Sequence, residues 1–117
     1  MLDWNHINTL QDDIGPDAFA EIVDLFLEEV DDAIAALQDQ TGPADLGAAL
    51  HFVKGCALNL GFSEFAALCQ QTETRISAGD HAPADLTQLL DCYARSRAQF
   101  LAELPARVPG YAPSAAP

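Results

Sequence analysis

His51 and Lys54 stand three residues apart in the run His51-Phe52-Val53-Lys54-Gly55-Cys56-Ala57-Leu58-Asn59-Leu60-Gly61. Side chains at that spacing share one face of a helix. Lys54 is the single lysine of the chain, and no Lys or Arg precedes it. Gly55 removes a side chain from the same face. The product is an uncrowded imidazole with a positive charge beside it, which suits a histidine that must meet a phosphoryl group. A neutral imidazole nitrogen is a competent nucleophile toward phosphorus. Histidine keeps a substantial neutral fraction near neutral pH. Phosphoryl transfer is mostly positioning plus charge stabilisation.

The helix that must hold this pair separates into two faces at roughly 100° per residue. Leu46, Ala49, Leu50, Val53, Cys56, Ala57 and Leu60 fall on one side and are expected in the core. Gly47, Ala48, His51, Lys54, Gly55 and Leu58 fall on the other. His51 is therefore expected on the surface in mid-helix, beside residues with little side chain. Two features cost stability without a return in folding. Gly55 in a helix interior costs about 1 kcal/mol relative to Ala. An exposed Leu58 gives up roughly 1.5–3 kcal/mol of possible burial. Costs of this kind tend to mark function. The bland alternative is that His51 and Lys54 are ordinary solvated residues and Gly55 lets another helix of the same chain approach.

The remaining elements are also helical. Asp3 to Leu10 reads as a short helix with Asp3 as N-cap. Gly15-Pro16 punctuates and opens the next helix. Phe19, Ile22, Val23, Phe26, Leu27, Val30, Ile34 and Leu37 then recur at helical spacing, to about Gln40. Its outer face carries Asp17, Glu21, Asp24, Glu28, Glu29, Asp31, Asp32 and Asp39, read as a solvated face. Thr41-Gly42-Pro43 stops it. The His51 helix is expected from near Asp45 to about Leu60, with Gly61 as C-terminal cap. Ser63 is the expected N-cap of a helix with Phe65, Leu68, Cys69, Thr72 and Ile76 on one side, ended by Gly79-Asp80. Pro83 opens a last helix with Leu86, Leu89, Leu90, Tyr93, Arg97 and Phe100 at periodic positions. Nothing reads as strand. Four long helices with short turns predict an all-α, antiparallel up-down four-helix bundle, the short N-terminal helix lying across one end. The domain is expected over 1–104, with 105–117 a flexible Pro/Ala-rich tail.

Composition narrows the partners. The 117 residues suffice for one core and not two. Half of them are hydrophobic, so this is not a disordered acidic segment. The formal net charge of -13, from 18 acidic and 5 basic residues, argues against nucleic acid and anionic membrane surfaces. A basic or metal-bearing partner surface fits better. No apolar run reaches membrane-spanning length, and the N-terminus does not read as a signal peptide. Cys56, Cys69 and Cys92 form no CxxC and leave one thiol unpaired in any pairing, so reduced thiols in a cytoplasmic protein are expected.

The run from His51 to Gly61 resembles the motif of histidine-containing phosphotransfer (HPt) domains. That motif reads His, any residue, apolar, Lys, Gly, two small, two variable, apolar, Gly, and every fixed position is present. The acidic first long helix and the order of elements also fit, over all but the tail. The resemblance implies a four-helix bundle in which His51 accepts a phosphoryl group from a receiver's aspartyl phosphate and passes it to another receiver's aspartate. It places Lys54 near the phosphoryl oxygens and gives Gly55 the task of leaving room for the receiver. Cys56 stands where the family often has Ser, which removes a hydroxyl. Some members orient the imidazole with a polar residue on the next helix, and Gln70 or Glu73 is the candidate here. The cofactor expectation is none of the chain's own, with Mg2+ on the partner receiver. Gly47, Ala48, Leu58 and Phe62 are expected to form a shallow apolar docking patch. The chain is too short for a kinase ATP-binding domain and has no glycine-rich phosphate loop. The expectation is a free-standing, monomeric shuttle without kinase activity of its own, whose initial Met and tail suggest a complete chain.

Two rivals use other features. A non-catalytic interaction bundle would bind a partner through its acidic helix or apolar patch, with the His-Lys-Gly arrangement incidental. A hydrolase or metal enzyme would need His6, His51 and His81, but no nucleophile with a nearby base is apparent and the spacing matches no zinc pattern. His6 and His81 read as solvated or capping residues, and Cys56 and Cys69 as core thiols.

Overall fold

The computed structural model describes residues 2–37, 43–80 and 83–108. Among the described residues five helices follow one another: α1 (Trp4–Ile14), α2 (Pro16–Leu37), α3 (Pro43–Asn59), α4 (Ser63–Ser77) and α5 (Pro83–Arg107). The fold is all-α, and no strand occurs among the described residues. Helix α3 packs on α2 and on α4, α4 on α5, and α1 on α2.

Each boundary has a local cause. The Asp3 carboxylate accepts from the His6 backbone N–H at 3.1 Å and caps α1. Helix α1 continues past Leu10 to Ile14, where Gly15 at φ 85° ends it. Helix α2 starts at Pro16, whose missing N–H costs nothing in a first turn. The expected end at Gln40, Asp39 and the stop at Thr41-Gly42 lie outside the described residues. Helix α3 begins at Pro43, slightly before the expected Asp45. It ends in a glycine cap: Gly61 N–H donates to Leu58 O at 3.2 Å and Phe62 N–H to Ala57 O at 2.8 Å. Helix α4 closes the same way through Gly79 and Asp80, which donate to Ile76 O and Arg75 O.

Ser63 is not the N-cap of α4. Phe62 occupies that position without a side-chain hydrogen bond, and Ser63 is the first helical residue. The C-cap of α3 consumes Gly61 and Phe62, so α4 starts directly from that turn. At the other end, α5 runs through Pro105 to Arg107, and Val108 is buried. Residues 109–117 of the expected tail lie outside the described residues.

The core unites Phe19, Val23, Leu27 and Val30 of α2 with Leu50, Val53 and Leu60 of the α3 segment, Phe65 and Cys69 of α4, and Leu89 and Phe100 of α5. Phe62 packs edge-on against Phe100 at 5.2 Å between centroids, and Trp4 stacks on Phe100 at 5.9 Å. Asp31 departs from the solvated face expected for α2. Its carboxylate accepts from Tyr93 Oη at 2.6 Å and from Arg97 at 3.2 and 3.0 Å, tying α2 to α5. Burial and the Asp31 carboxylate together push the Tyr93 phenol well above its ordinary value.

Helix α1 is fastened to the end of α3 that follows the His51 motif. Asp3 N–H donates to Gly61 O at 2.8 Å, and the His6 ring lies 2.8 Å from Asn59 O. A Cβ on Gly61 would meet Ile7 Cγ1 at 2.7 Å, and Gly61 has φ +80°. Glycine is required there twice over, for conformation and for space.

Candidate functional site

His51 projects from mid-α3, and its side chain is 71% exposed. Its Nδ1 lies 3.3 Å from Glu73 Oε2 on α4. An ionised carboxylate only accepts hydrogen bonds, so this contact places the ring hydrogen on Nδ1. The Nε2 lone pair is then free for a reacting group.

Lys54, one turn along α3, leans toward α4. Its Nζ donates to Gln70 Oε1 at 2.7 Å and lies 3.2 Å from Glu73 Oε1. The Glu73 contact has ion-pair distance without hydrogen-bond geometry, which leaves the buried Oε1 without a hydrogen bond. Gln70 Nε2 in turn donates to Thr74 Oγ1 at 3.4 Å. Gln70 and Glu73 are three apart on α4, so both reach the same seam. The two candidates for imidazole orientation are thereby divided: Glu73 touches the ring, and Gln70 holds the lysine.

Gly55 is exposed, and a Cβ there would find nothing within 4 Å. Among the described residues no other helix comes within 4 Å of this position, so packing among them does not account for the glycine. Ala48 is exposed, and Leu58 is 54% exposed. Gly47 is half-buried, its missing Cβ 3.9 Å from Ile76 Cγ2, an ordinary contact with α4.

Phe62 must be removed from the expected docking patch. It is 2% exposed and belongs to the aromatic core. A residue just after a C-cap glycine folds back over its helix, and a helical wheel does not follow that turn. The large apolar residue that does stand outside is Phe52, 53% exposed and next to His51. Its place in the motif's variable position was the available signal. Leu58 also borders a groove of about 330 Å³ between α3 and α4, lined with Lys54, Ser63, Ala66, Ala67 and Gln70.

Of the other titratable groups, Cys69 borders this seam, where the charges of Glu73 and Lys54 act on its thiol in opposite directions. All three cysteines are free and buried. Burial pushes the Cys69 thiol up to about 12. His6 caps the end of α3, and His81 lies outside the described residues. Among the described residues, no group of three or more His, Cys, Asp or Glu is placed to hold a metal ion. Among them, too, no helix is long and apolar enough to cross a membrane.

The family model described as Hpt domain matches residues 21–108, about three quarters of the chain, a span containing His51, Lys54, Gly55, Gln70 and Glu73. No curated protein matches the chain, and no solved structure does.

Proposed function

The chain belongs to the Hpt domain family, and from that premise we propose that it relays a phosphoryl group between aspartates of receiver domains through His51. At family level such domains carry out histidine phosphotransfer in two-component systems. The observation that carries the residue assignment is the His51 imidazole, open to solvent on one side and held at Nδ1 by Glu73 on the other. Exposure spares the nucleophile a desolvation penalty and leaves a path for in-line attack. Lys54 supplies positive charge from the α4 side, anchored by Gln70. Gly55 gives the receiver room to bring its aspartate close.

Helices α2 to α5 form an antiparallel up-down four-helix bundle in this reading, with α1 across one end. The succession of packed neighbours supports it, together with the Asp31 contacts that return α5 to α2. Receivers dock over Ala48, Phe52, Gly55 and Leu58. Mg2+ belongs to the receiver's acidic site. The protein acts as a cytoplasmic monomer without kinase activity of its own.

The test is transfer of labelled phosphate from a panel of phosphorylated receivers to the wild-type protein and to His51→Gln. Acid-labile, base-stable label absent from the variant supports the relay. Label persisting on the variant moves the site elsewhere. Binding without any label favours the non-catalytic interaction module.

A further inference from the structure

We infer that the groove between α3 and α4 is a binding site for a small organic monoanion, an alkyl or aryl carboxylate. Its apolar body lies along the groove, and its carboxylate meets Lys54. Such binding is separate from phosphoryl transfer and needs no receiver.

The groove has a volume of about 330 Å³, at the lower end of the range for small-molecule sites. Ala66 and Ala67 of α4 are short side chains, which opens the depression. Leu58 of α3, 54% exposed, forms an apolar wall that a ligand would cover. Two hollows of similar size elsewhere on the surface differ in chemistry. One, between α4 and α5, is lined with Glu64, Gln71, Gln88 and Arg95 among others. The second, between α2 and α5, carries Asp24, Glu28, Asp31, Asp32 and Arg97. Such linings favour water. The α3–α4 groove has no acidic side chain in its lining and sets apolar walls beside a single cation.

That cation has capacity for a ligand. The Lys54 side chain is 18% exposed, so water screens its charge less than that of an open surface lysine. An ammonium has three hydrogens to donate. One goes to Gln70 Oε1 at 2.7 Å. Glu73 Oε1, at 3.2 Å, lies at ion-pair distance without hydrogen-bond geometry. Hydrogens therefore remain for a carboxylate entering along the groove, while Glu73 offsets part of the charge that attracts it. The other end of the groove has the opposite character. Ser63, two turns before Gln70 on α4, offers a neutral hydroxyl, and the exposed Glu64 follows it. An anion is thus turned with its head at Lys54 and its apolar body against Leu58, Ala66 and Ala67.

The probe is 3-phenylpropanoate, compared with its neutral amide, 3-phenylpropanamide, and with the cation 3-phenylpropylammonium. Backbone and methyl NMR shifts of the unphosphorylated protein are followed as each is added. For so small a ligand in an open groove the dissociation constant should be on the order of 1 mM. The carboxylate should give saturable shifts at Leu58, Ala66 and Ala67. It should bind roughly fivefold more tightly than the amide, the gain of one partly screened ion pair, and the ammonium should bind most weakly. Lys54→Gln should bind carboxylate and amide alike. Leu58→Asp, which removes the apolar wall and puts a negative charge in its place, should abolish the shifts at Ala66 and Ala67. No saturable shift by about 10 mM, an amide that binds wild type as tightly as the carboxylate does, or binding that survives Leu58→Asp would overturn the inference. So would a groove that the probe leaves empty while Leu58→Asp slows transfer from a receiver, for the groove would then belong to the docked protein. No receiver enters the binding measurement, so its result is read apart from the relay.

Discussion

Lys54 and Gln70 bridge α3 and α4 through a 2.7 Å hydrogen bond, which pins the only lysine of an acidic chain beside the histidine it serves. Without Gln70, Lys54 would sample the solvent side of the seam with Glu73 as its one charged anchor. Gln70→Ala should therefore slow phosphoryl acceptance by a few-fold while costing about 1 kcal/mol or less of stability. Initial transfer rates and a thermal melt on the same preparation check both halves.

Gly55 separates folding from function. Nothing stands within 4 Å of its missing Cβ, so Gly55→Ala should stabilise α3 by about 1 kcal/mol in urea unfolding. Gly55→Leu should fold as well as wild type and transfer poorly, because the larger side chain occupies the receiver's approach. Normal transfer by Gly55→Leu would show that no partner comes close there.

Phe52 and Leu58 flank His51, each more than half exposed. An anchor of this kind contributes about 1–2 kcal/mol to a docked complex, roughly tenfold in affinity. Leu58→Asp and Phe52→Ala should each slow transfer by about that factor under limiting receiver and leave the unfolding midpoint close to wild type. Unchanged rates would remove the residue concerned from the docking surface.

The stops and faces that depend on neighbouring residues were legible in the sequence. Asp3 caps α1, Gly61 caps α3, and the wheel assigned Leu50 and Val53 to the core and His51 and Leu58 to the surface. The features that depend on tertiary placement were not. Asp31 resembles every other acid on α2 until Tyr93 and Arg97 arrive from α5. Phe62 looks like a continuation of the apolar patch until the glycine turn carries it inward. Gln70 and Glu73 share a face, and only the register of α4 against α3 decides which one meets the ring.

Cys69 makes the native state sensitive to alkali. Burial pushes its thiol from 9.0 up to about 12. A group whose folded value is raised gives stability that is complete below its unfolded value and is lost as pH rises. The stability should thus be full below about pH 9 and decline toward about pH 12, by up to about 1.4 kcal/mol per unit from this thiol. Urea midpoints across that range should fall less steeply in Cys69→Ala, with Cys56, Cys92 and Tyr93, also raised, supplying the rest of the slope. Equal slopes would remove Cys69 as a cause.

The most direct test of the relay is to load the protein with labelled phosphate from one phosphorylated receiver, purify it, and add a second, unlabelled receiver with Mg2+. The account predicts that label leaves His51 and appears on the second receiver's aspartate, and that His51→Gln never carries label to pass on. A wild-type protein that takes up no label from any receiver it binds, or a His51→Gln protein that still passes label on, would contradict it.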